Sequence, residues 1–331
     1  MAGMKVFFHD HCFDGACSAA LFTRFHRECV AGAEGYEYQG LVHRAGVLFE
    51  EAWWGAEENA IVDFKYSASP RLTWWFDHHQ SAFLNAEDEV KFYAGQLDGS
   101  LAMRQFFDPN YMSCAGWIAH VGSTKFGMDV APLKELIRWA DIVDGAKYES
   151  AQAAVEMKEP AMKLTMVIES APEVDGRSIS HRFIPLLTEM SLQEVLDQPF
   201  VQEQLGPLME RHWAGLELIR ERSVCERGVI SFYITDQPTE GYNKFIPYYV
   251  HPEGTYNVGL SKSSFRTKVS VGTNPWTPKA ADQLANIAEI CERYGGGGHA
   301  RVGAISFPVD REAEARVAVG EIVEELQGWD G

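Results

Sequence analysis

The sequence has no C-x-x-C pair. Its six cysteines, Cys12, Cys17, Cys29, Cys114, Cys225 and Cys291, stand apart from one another, which argues against a disulfide framework and against a structural zinc site built on paired thiols. No apolar stretch is long enough to cross a bilayer. The opening residues, MAGMKVFFHDHC, lack the layout of a signal peptide, because their apolar run is short and leads straight into polar residues. A cytoplasmic location with no membrane partner is the resulting expectation. Positive charge is also scarce: 29 Lys and Arg face 47 Asp and Glu, for a net charge of −18. Such a chain lacks the basic footprint that draws long nucleic acids from a distance. A nucleic-acid substrate would be small, or gripped by a local basic pocket.

What is present is a chain of 331 residues, 46% apolar, long enough for two unequal domains each with its own core. Short apolar runs at 5–8, 36–42, 59–64 and 71–76 read as strands, and 16–29, 113–126 and 131–142 read as helices. Strands alternating with helices predict an α/β layer with a mostly parallel sheet. From 151 to 222 helical patterns dominate, ending in a charged stretch at 202–222. Strand signals return at 229–235, 255–260 and 268–272, followed by a helix over 279–294, a strand over 302–307 and a terminal helix over 311–326. The expected organisation is an N-terminal domain over 1–200 with a helical extension, a connecting helix over 201–222, and a smaller α/β domain over 223–331.

Three polar clusters directly follow apolar strands: His9-Asp10-His11-Cys12-Phe13-Asp14-Gly15, then Asp63, then Asp77-His78-His79. In a parallel sheet the strand C-termini share one edge, where ligands bind. Asp141 and Asp144, after Trp139-Ala140, form a fourth candidate group. Carboxylates mixed with imidazoles suit manganese, magnesium, zinc or iron, and one carboxylate can bridge two ions roughly 3.5–4 Å apart. Asp63, alone at a strand tip, fits the bridging role. Each piece has a plainer explanation: a strand-end Asp caps a helix or turn, adjacent histidines lie on a surface, and Asp14-Gly15 is a turn signal. Their joint placement after strands of one sheet favours a metal site.

These residues resemble the motifs of the DHH phosphoesterase superfamily. The triplet is Asp77-His78-His79; VFFHDHCFDG, residues 6–15, resembles the first motif; AIVD, ending at Asp63, resembles the second. Asp141 is the best match to a later Asp, with Asp144 its rival. GGGGHARVGAISF, residues 295–307, resembles the glycine-rich GGGH signature of the DHH-associated domain, and Ser264-Phe265-Arg266 resembles that domain's serine-x-arginine strand. The resemblance implies a hydrolase that acts on a phosphoester of a small nucleotide or short oligonucleotide through a metal-activated water, with the active site in the cleft between two domains. It implies one metal held by Asp14, Asp63, His78 and Asp141, and a second held by His9, Asp63 and one further group. It implies that His79 contacts the scissile phosphate or attacking water with Asp77 in support, and that Arg266, Gly297, Gly298 and His299 hold the rest of the substrate. The divalent metal expected first is manganese, and a homodimer is a further expectation.

The first motif departs from the common pattern, which carries two aspartates where this chain has Asp14 alone. A branch with an H-x-N-C-x-D-G-like motif is closer, with His11 standing at its Asn. Three readings stay open: His11 completes the second site, Cys12 does so and softens it toward zinc or iron, or the site fills only with substrate. His11 is preferred. Asp10 is read as a supporting or solvent residue. His120, His181, His212 and His251 are read as structural or exposed, and burial is expected for at least one ring of Trp74-Trp75. Trp53-Trp54 is read as a core contact or a partner surface. Two other functions compete: an inorganic pyrophosphatase, which shares the DHH core, and a non-catalytic nucleotide sensor with a degraded metal site.

Overall fold

The computed structural model describes residues 3–30, 32–44, 46–173, 177–236 and 241–329. The chain divides into two compact units, Met1–Tyr148 with Lys158–Leu208, and Glu149–Met157 with Met209–Gly331. In chain order the first unit carries β1 (Met4–His9), α1 (Phe13–Cys29), β2 (Tyr36–Leu41), β3 (Glu58–Val62), β4 (Trp74–Asp77), α2 (Ala86–Leu97), β5 (Gln105–Phe107), α3 (Cys114–Phe126) and α4 (Lys134–Asp144). The short α5 (Ala151–Val155) groups with the second unit, while α6 (Pro160–Ser170), α7 (Ser180–Leu187) and α8 (Leu192–Leu196) return to the first. The long α9 (Pro199–Arg222) begins in the first unit and ends in the second. The second unit continues with β6 (Val224–Glu226), β7 (Val229–Ile234), α10 (Ile246–Val250), β8 (Tyr256–Lys262), β9 (Thr267–Thr273), α11 (Ile287–Glu292), β10 (Gly297–His299), β11 (Val302–Phe307) and α12 (Glu312–Gln327).

The first sheet has the order β2-β1-β3-β4-β5 with every pair parallel, as the alternating strands and helices predict. Its central strands are apolar on both faces because both faces are covered. On one face, Phe22 and Phe25 of α1 pack edge-on against Trp74 and Phe76. On the other, Phe7, Ile61 and Trp75 join Trp54, Phe64, Tyr66 and Phe92 in an aromatic layer. Each fully buried side chain of this kind contributes roughly 2–3 kcal/mol. Both Trp74 and Trp75 are buried, and Trp54 sits in the core beside Phe7, with Trp53 partly buried at its margin. The tryptophan pair at 53–54 is therefore a core contact.

The second sheet, β10-β11-β9-β8-β7-β6, is mixed: β7 and β8 run parallel and the other pairs are antiparallel. Residues of α11 and α12, among them Ile287, Cys291, Val319 and Ile322, share a core with its strands. Several boundaries differ from expectation. Helix α1 starts at Phe13, with Cys12 extended at its N-cap. The helix expected over 279–294 breaks into a single 3₁₀ turn, Ala281–Gln283, and α11, since Leu284 is extended and Asn286 caps a new start by accepting from Ala288 N–H. No described helix is long and apolar enough to cross a membrane.

Candidate active site

The strands ending at the expected site residues are neighbours. His9 closes β1, Asp63 follows β3 and Asp77 closes β4, and the sheet reverses its order at β1, between β2 and β3. This is the switch point at which α/β sheets open a crevice beyond their strand ends. Gly15 lets α1 start against it, because a Cβ there would lie 1.9 Å from the His9 carbonyl oxygen.

Asp63 is the centre. It is 1% exposed and left-handed at φ +56°, while its N–H donates to the Phe76 carbonyl at 2.9 Å. A non-glycine residue in that conformation costs roughly 1–3 kcal/mol and persists only where its surroundings impose it. Here the turn aims both carboxylate oxygens at imidazoles. Oδ2 lies 3.3 Å from His9 Nδ1, and Oδ1 lies 3.5 Å from His78 Nε2 and 3.8 Å from His79 Nδ1. His78 Nδ1–H donates to the Tyr111 carbonyl at 3.1 Å, which leaves Nε2 as the atom facing the carboxylates. Around Nε2 stand Asp14 Oδ2 at 3.7 Å and Asp144 Oδ2 at 3.5 Å, besides Asp63.

Asp14 is oriented by main chain. The first N–H groups of α3 point at it: Cys114 N–H donates to Oδ2 at 2.7 Å and Ala115 N–H to Oδ1 at 3.1 Å. A helix N-terminus suits a carboxylate through both its free donors and its dipole. That N-terminus is fixed in turn. Ser113 Oγ accepts from Gly116 N–H at 2.9 Å and donates to Asp141 Oδ1 at 2.5 Å.

Two of the expected metal ligands, Asp141 and His11, fall outside the groups of close donors among the described residues. Asp141 was expected in the metal cluster with Asp144 as its rival; its Oδ1 accepts from Ser113 Oγ, while Asp144, one helical turn further along α4, has Oδ2 3.5 Å from His78 Nε2. His11 was expected to complete the second site. Its backbone is left-handed at φ +53°, and its Nε2 lies 3.8 Å from Glu173. Among the described residues, the groups able to hold an ion are His9, Cys12 and Asp63; Asp63, His78 and His79; and Asp14, His78 and Asp144, each with its donor atoms within 4.8 Å of one another. Asp10 lies outside these groups: its Oδ1 accepts from Ser178 Oγ at 2.5 Å and from His11 N–H at 2.8 Å, which pins the loop.

Asp77 holds His79. Its Oδ1 accepts from His79 Nδ1 at 2.7 Å and from the N–H groups of His78 and His79 at 2.8 and 3.3 Å. Among the described residues, the other ring nitrogen of His79 has no hydrogen-bond partner.

The electrostatics show what such a cluster requires. Burial, followed by the Asp63 and Asp144 charges, pushes Asp14 well above the ordinary carboxylate range. Burial and Asp63 raise Asp144. Burial would raise Asp63 too, but the His78 and His9 imidazoles beside it prevail and hold it low. His78, which burial would lower, is pushed up to about 10, first by Asp63 and then by Asp14. Burial would lower His79 as well, but Asp77 and Asp63 raise it. Without a cation, then, the neighbouring imidazoles are what offsets the charge of the buried carboxylates. Buried atoms lacking any hydrogen-bond partner include His9 Nδ1, both Asp63 oxygens and His78 Nε2. Buried polar atoms are nearly always paired, so this convergent set fits a divalent ion, whose charge would offset the carboxylates.

In the second unit, Gly297 and His299 lie on β10 with Gly298 between them, paired to β11. A Cβ on Gly298 would stand 2.2 Å from the Val302 carbonyl oxygen, so sheet pairing demands that glycine, whereas Gly297 opens onto free space. His299 is exposed. Arg266, in the turn between β8 and β9, donates from Nη1 to Ser306 Oγ at 3.3 Å, with its guanidinium 5.2 Å from the Phe265 ring centre. Among the other histidines, His212 Nε2 donates to the Val155 carbonyl at 2.7 Å and His251 bonds Ser223 Oγ at 2.8 Å, both structural contacts.

Fold and site together define an α/β protein with a candidate metal centre at the C-terminal edge of a parallel sheet. No family model matches the chain, and no curated protein matches it. Solved structures do. A pGpG-specific phosphodiesterase from Vibrio cholerae superposes with a TM-score of 0.66 at 18% identity, over 99% of each chain. The DHH domain of a protein assigned to a family of ribosomal proteins gives 0.56 at 15% identity, over 98% of this chain and 87% of that one. An exopolyphosphatase-related protein from Bacteroides fragilis gives 0.51 at 10% identity, over 98% of this chain and 94% of that one. The chain therefore shares its fold with these three structures, one of them a DHH domain.

Proposed function

We propose that the protein is a metal-dependent phosphoesterase acting on a small nucleotide or short oligonucleotide. The observation that carries this reading is the convergence of buried, partnerless donor atoms from His9, Asp63 and His78 at one strand edge. Asp14, Asp63, His78 and Asp144 would hold one ion, and Asp63 with His9 would begin a second position. Manganese is the first expectation, because the donors are mainly hard oxygens with imidazole. When bound, divalent metal supplies Lewis acidity that makes water a nucleophile near neutral pH and offsets charge on phosphoryl oxygens.

The remaining roles belong to the chain. Asp63, fixed by its left-handed backbone, would set the spacing of the two positions. His79, oriented by Asp77 and favoured in its protonated form, would donate a hydrogen bond to a phosphoryl oxygen as charge grows there. Arg266 offers a planar fork to an anionic oxygen. Gly297 leaves backbone open to a phosphate, and His299 stands beside it. The net charge of −18 speaks for a short substrate rather than a long strand. The Vibrio protein of like fold acts on pGpG, which makes pGpG the first substrate to test.

The test is an activity matrix: Mn²⁺, Mg²⁺, Zn²⁺ and Fe²⁺ against pGpG, other dinucleotides, longer oligonucleotides, nucleoside bisphosphates and pyrophosphate, each repeated with His78→Ala. Hydrolysis of a short nucleotide that vanishes in His78→Ala is expected. Silence across the matrix overturns the proposal, and cleavage of pyrophosphate alone reassigns the enzyme to pyrophosphatase chemistry.

A further inference from the structure

The second metal position is one donor short, and the structure offers an unusual candidate for it. His9 Nδ1 and Asp63 Oδ2 face each other at 3.3 Å. Both are buried without a hydrogen-bond partner, and Asp63 is 1% exposed. Among the described residues, Cys12 forms a group with His9 and Asp63 in which one donor atom from each lies within 4.8 Å of the others. His11, the residue next to it, is left-handed at φ +53°, has its Nε2 3.8 Å from Glu173, and belongs to none of the groups of close donors among the described residues. The loop therefore presents sulfur where a carboxylate would be sought.

We propose that Cys12 Sγ is a ligand of the second metal position together with His9 Nδ1 and Asp63 Oδ2, giving that position a preference for a softer divalent cation such as Fe²⁺, Zn²⁺ or Co²⁺. The inference rests on the metal-dependent reading above and specifies one ligand and the class of metal. Its physical case has three parts. First, Cys12 is the extended N-cap of α1, where the helix's free N–H groups and dipole help to hold a thiolate once a cation is present. Without one, burial and the Asp63 and Asp14 charges push its thiol up. Second, two neighbouring donors are already desolvated and unpaired, so a cation recovers interactions that the folded chain otherwise forgoes. Third, a thiolate, an imidazole and a carboxylate form a borderline-soft set, unlike the three carboxylates and one imidazole of Asp14, Asp63, Asp144 and His78. On binding, the S–H bond breaks, its proton passes to solvent and a sulfur–metal bond forms, with no change of oxidation state. Cys17, Cys114 and Cys291 are fully buried and serve as internal controls.

The test uses Co²⁺ as probe on the full chain under reducing conditions. Bound Co²⁺ is counted by equilibrium dialysis while the near-ultraviolet spectrum is followed for thiolate-to-cobalt charge transfer. The band is expected in the wild type and is expected to disappear in Cys12→Ser while Co²⁺ still binds. A second measurement needs no variant: Co²⁺ should protect Cys12 from iodoacetamide, read by mass spectrometry of the peptide. Two bound Co²⁺ per chain with no band, or Cys12 alkylated equally with and without metal, overturns the sulfur ligand and leaves the metal-dependent reading standing. No bound Co²⁺, Mn²⁺ or Zn²⁺ at all overturns both.

Discussion

Replacing Ser113 by Ala separates the two aspartates of α4. Ser113 caps α3 and donates to Asp141, and the α3 N-terminus so placed donates two N–H groups to Asp14. Loss of the cap costs about 1 kcal/mol. Leaving the Asp141 carboxylate without its donor adds roughly 1.5 kcal/mol, the low end for hydrogen bonds to charged groups. The expected loss of stability in urea unfolding is therefore about 2–3 kcal/mol. If the chain of contacts also orients Asp14, Mn²⁺ affinity measured calorimetrically should fall about tenfold or more, the usual effect of removing a partner that orients a metal ligand. Asp141→Asn retains an oxygen that accepts from Ser113 and should lose little affinity. Asp144→Asn, which removes a charge beside His78, should lose far more. The reasoning is refuted if Asp141→Asn weakens Mn²⁺ as much as Asp144→Asn, or if Ser113→Ala destabilises the fold with Mn²⁺ affinity unchanged.

Two further outcomes follow from the geometry. Gly15→Ala forces a Cβ to within 1.9 Å of the His9 carbonyl oxygen; overpacking against backbone should cost about 3 kcal/mol, seen as a lowered urea midpoint together with lost activity. Glu312 is held down to about 2, first by its hydrogen bond from Thr235 and then by those from Arg316 and Lys262. Its contribution is fully present above the ordinary value of 4.5 and is lost as pH falls toward about 2. Because the carboxylate is well solvated, the effect is modest. Glu312→Gln should flatten that part of the acid limb in unfolding of the second unit, and an unchanged limb would count against the network.

The parallel sheet and its strand-end cluster were legible because one rule covers both. Apolar runs that close with His9, Asp63 and Asp77 must bring those residues to a shared edge if the strands are parallel, and they do. The choice between Asp141 and Asp144 was not legible. Residues three apart on a helix share a face to within about 60°, so spacing alone cannot say which one Ser113 occupies. The backbone turn at His11 was equally hidden, since nothing in HDHC announces a left-handed residue. Helix α2 was unassigned because its pattern is inverted: it buries Asp88, Phe92 and Gly95 while exposing Val90 and Leu97. The contacts of α3 with Asp14 span about a hundred residues and use backbone atoms, which carry no side-chain signature.

That last contact bears on how variants of this protein will read. The donors to Asp14 belong to the main chain at Cys114 and Ala115, so most side-chain exchanges there leave them in place. A mutational scan can therefore score both positions for their packing alone, while the interaction goes unseen. Proline at 114 is the exception. It is the first helical position, which accepts proline, and Ser113 before it is already extended at φ −145°, ψ 155°, as a residue preceding proline should be. That change deletes the N–H donor to Asp14 along with the Cys114 Sγ contact to the Phe76 carbonyl, which Cys114→Ala removes without it; comparing the two variants isolates what the main-chain donor does for the candidate metal site.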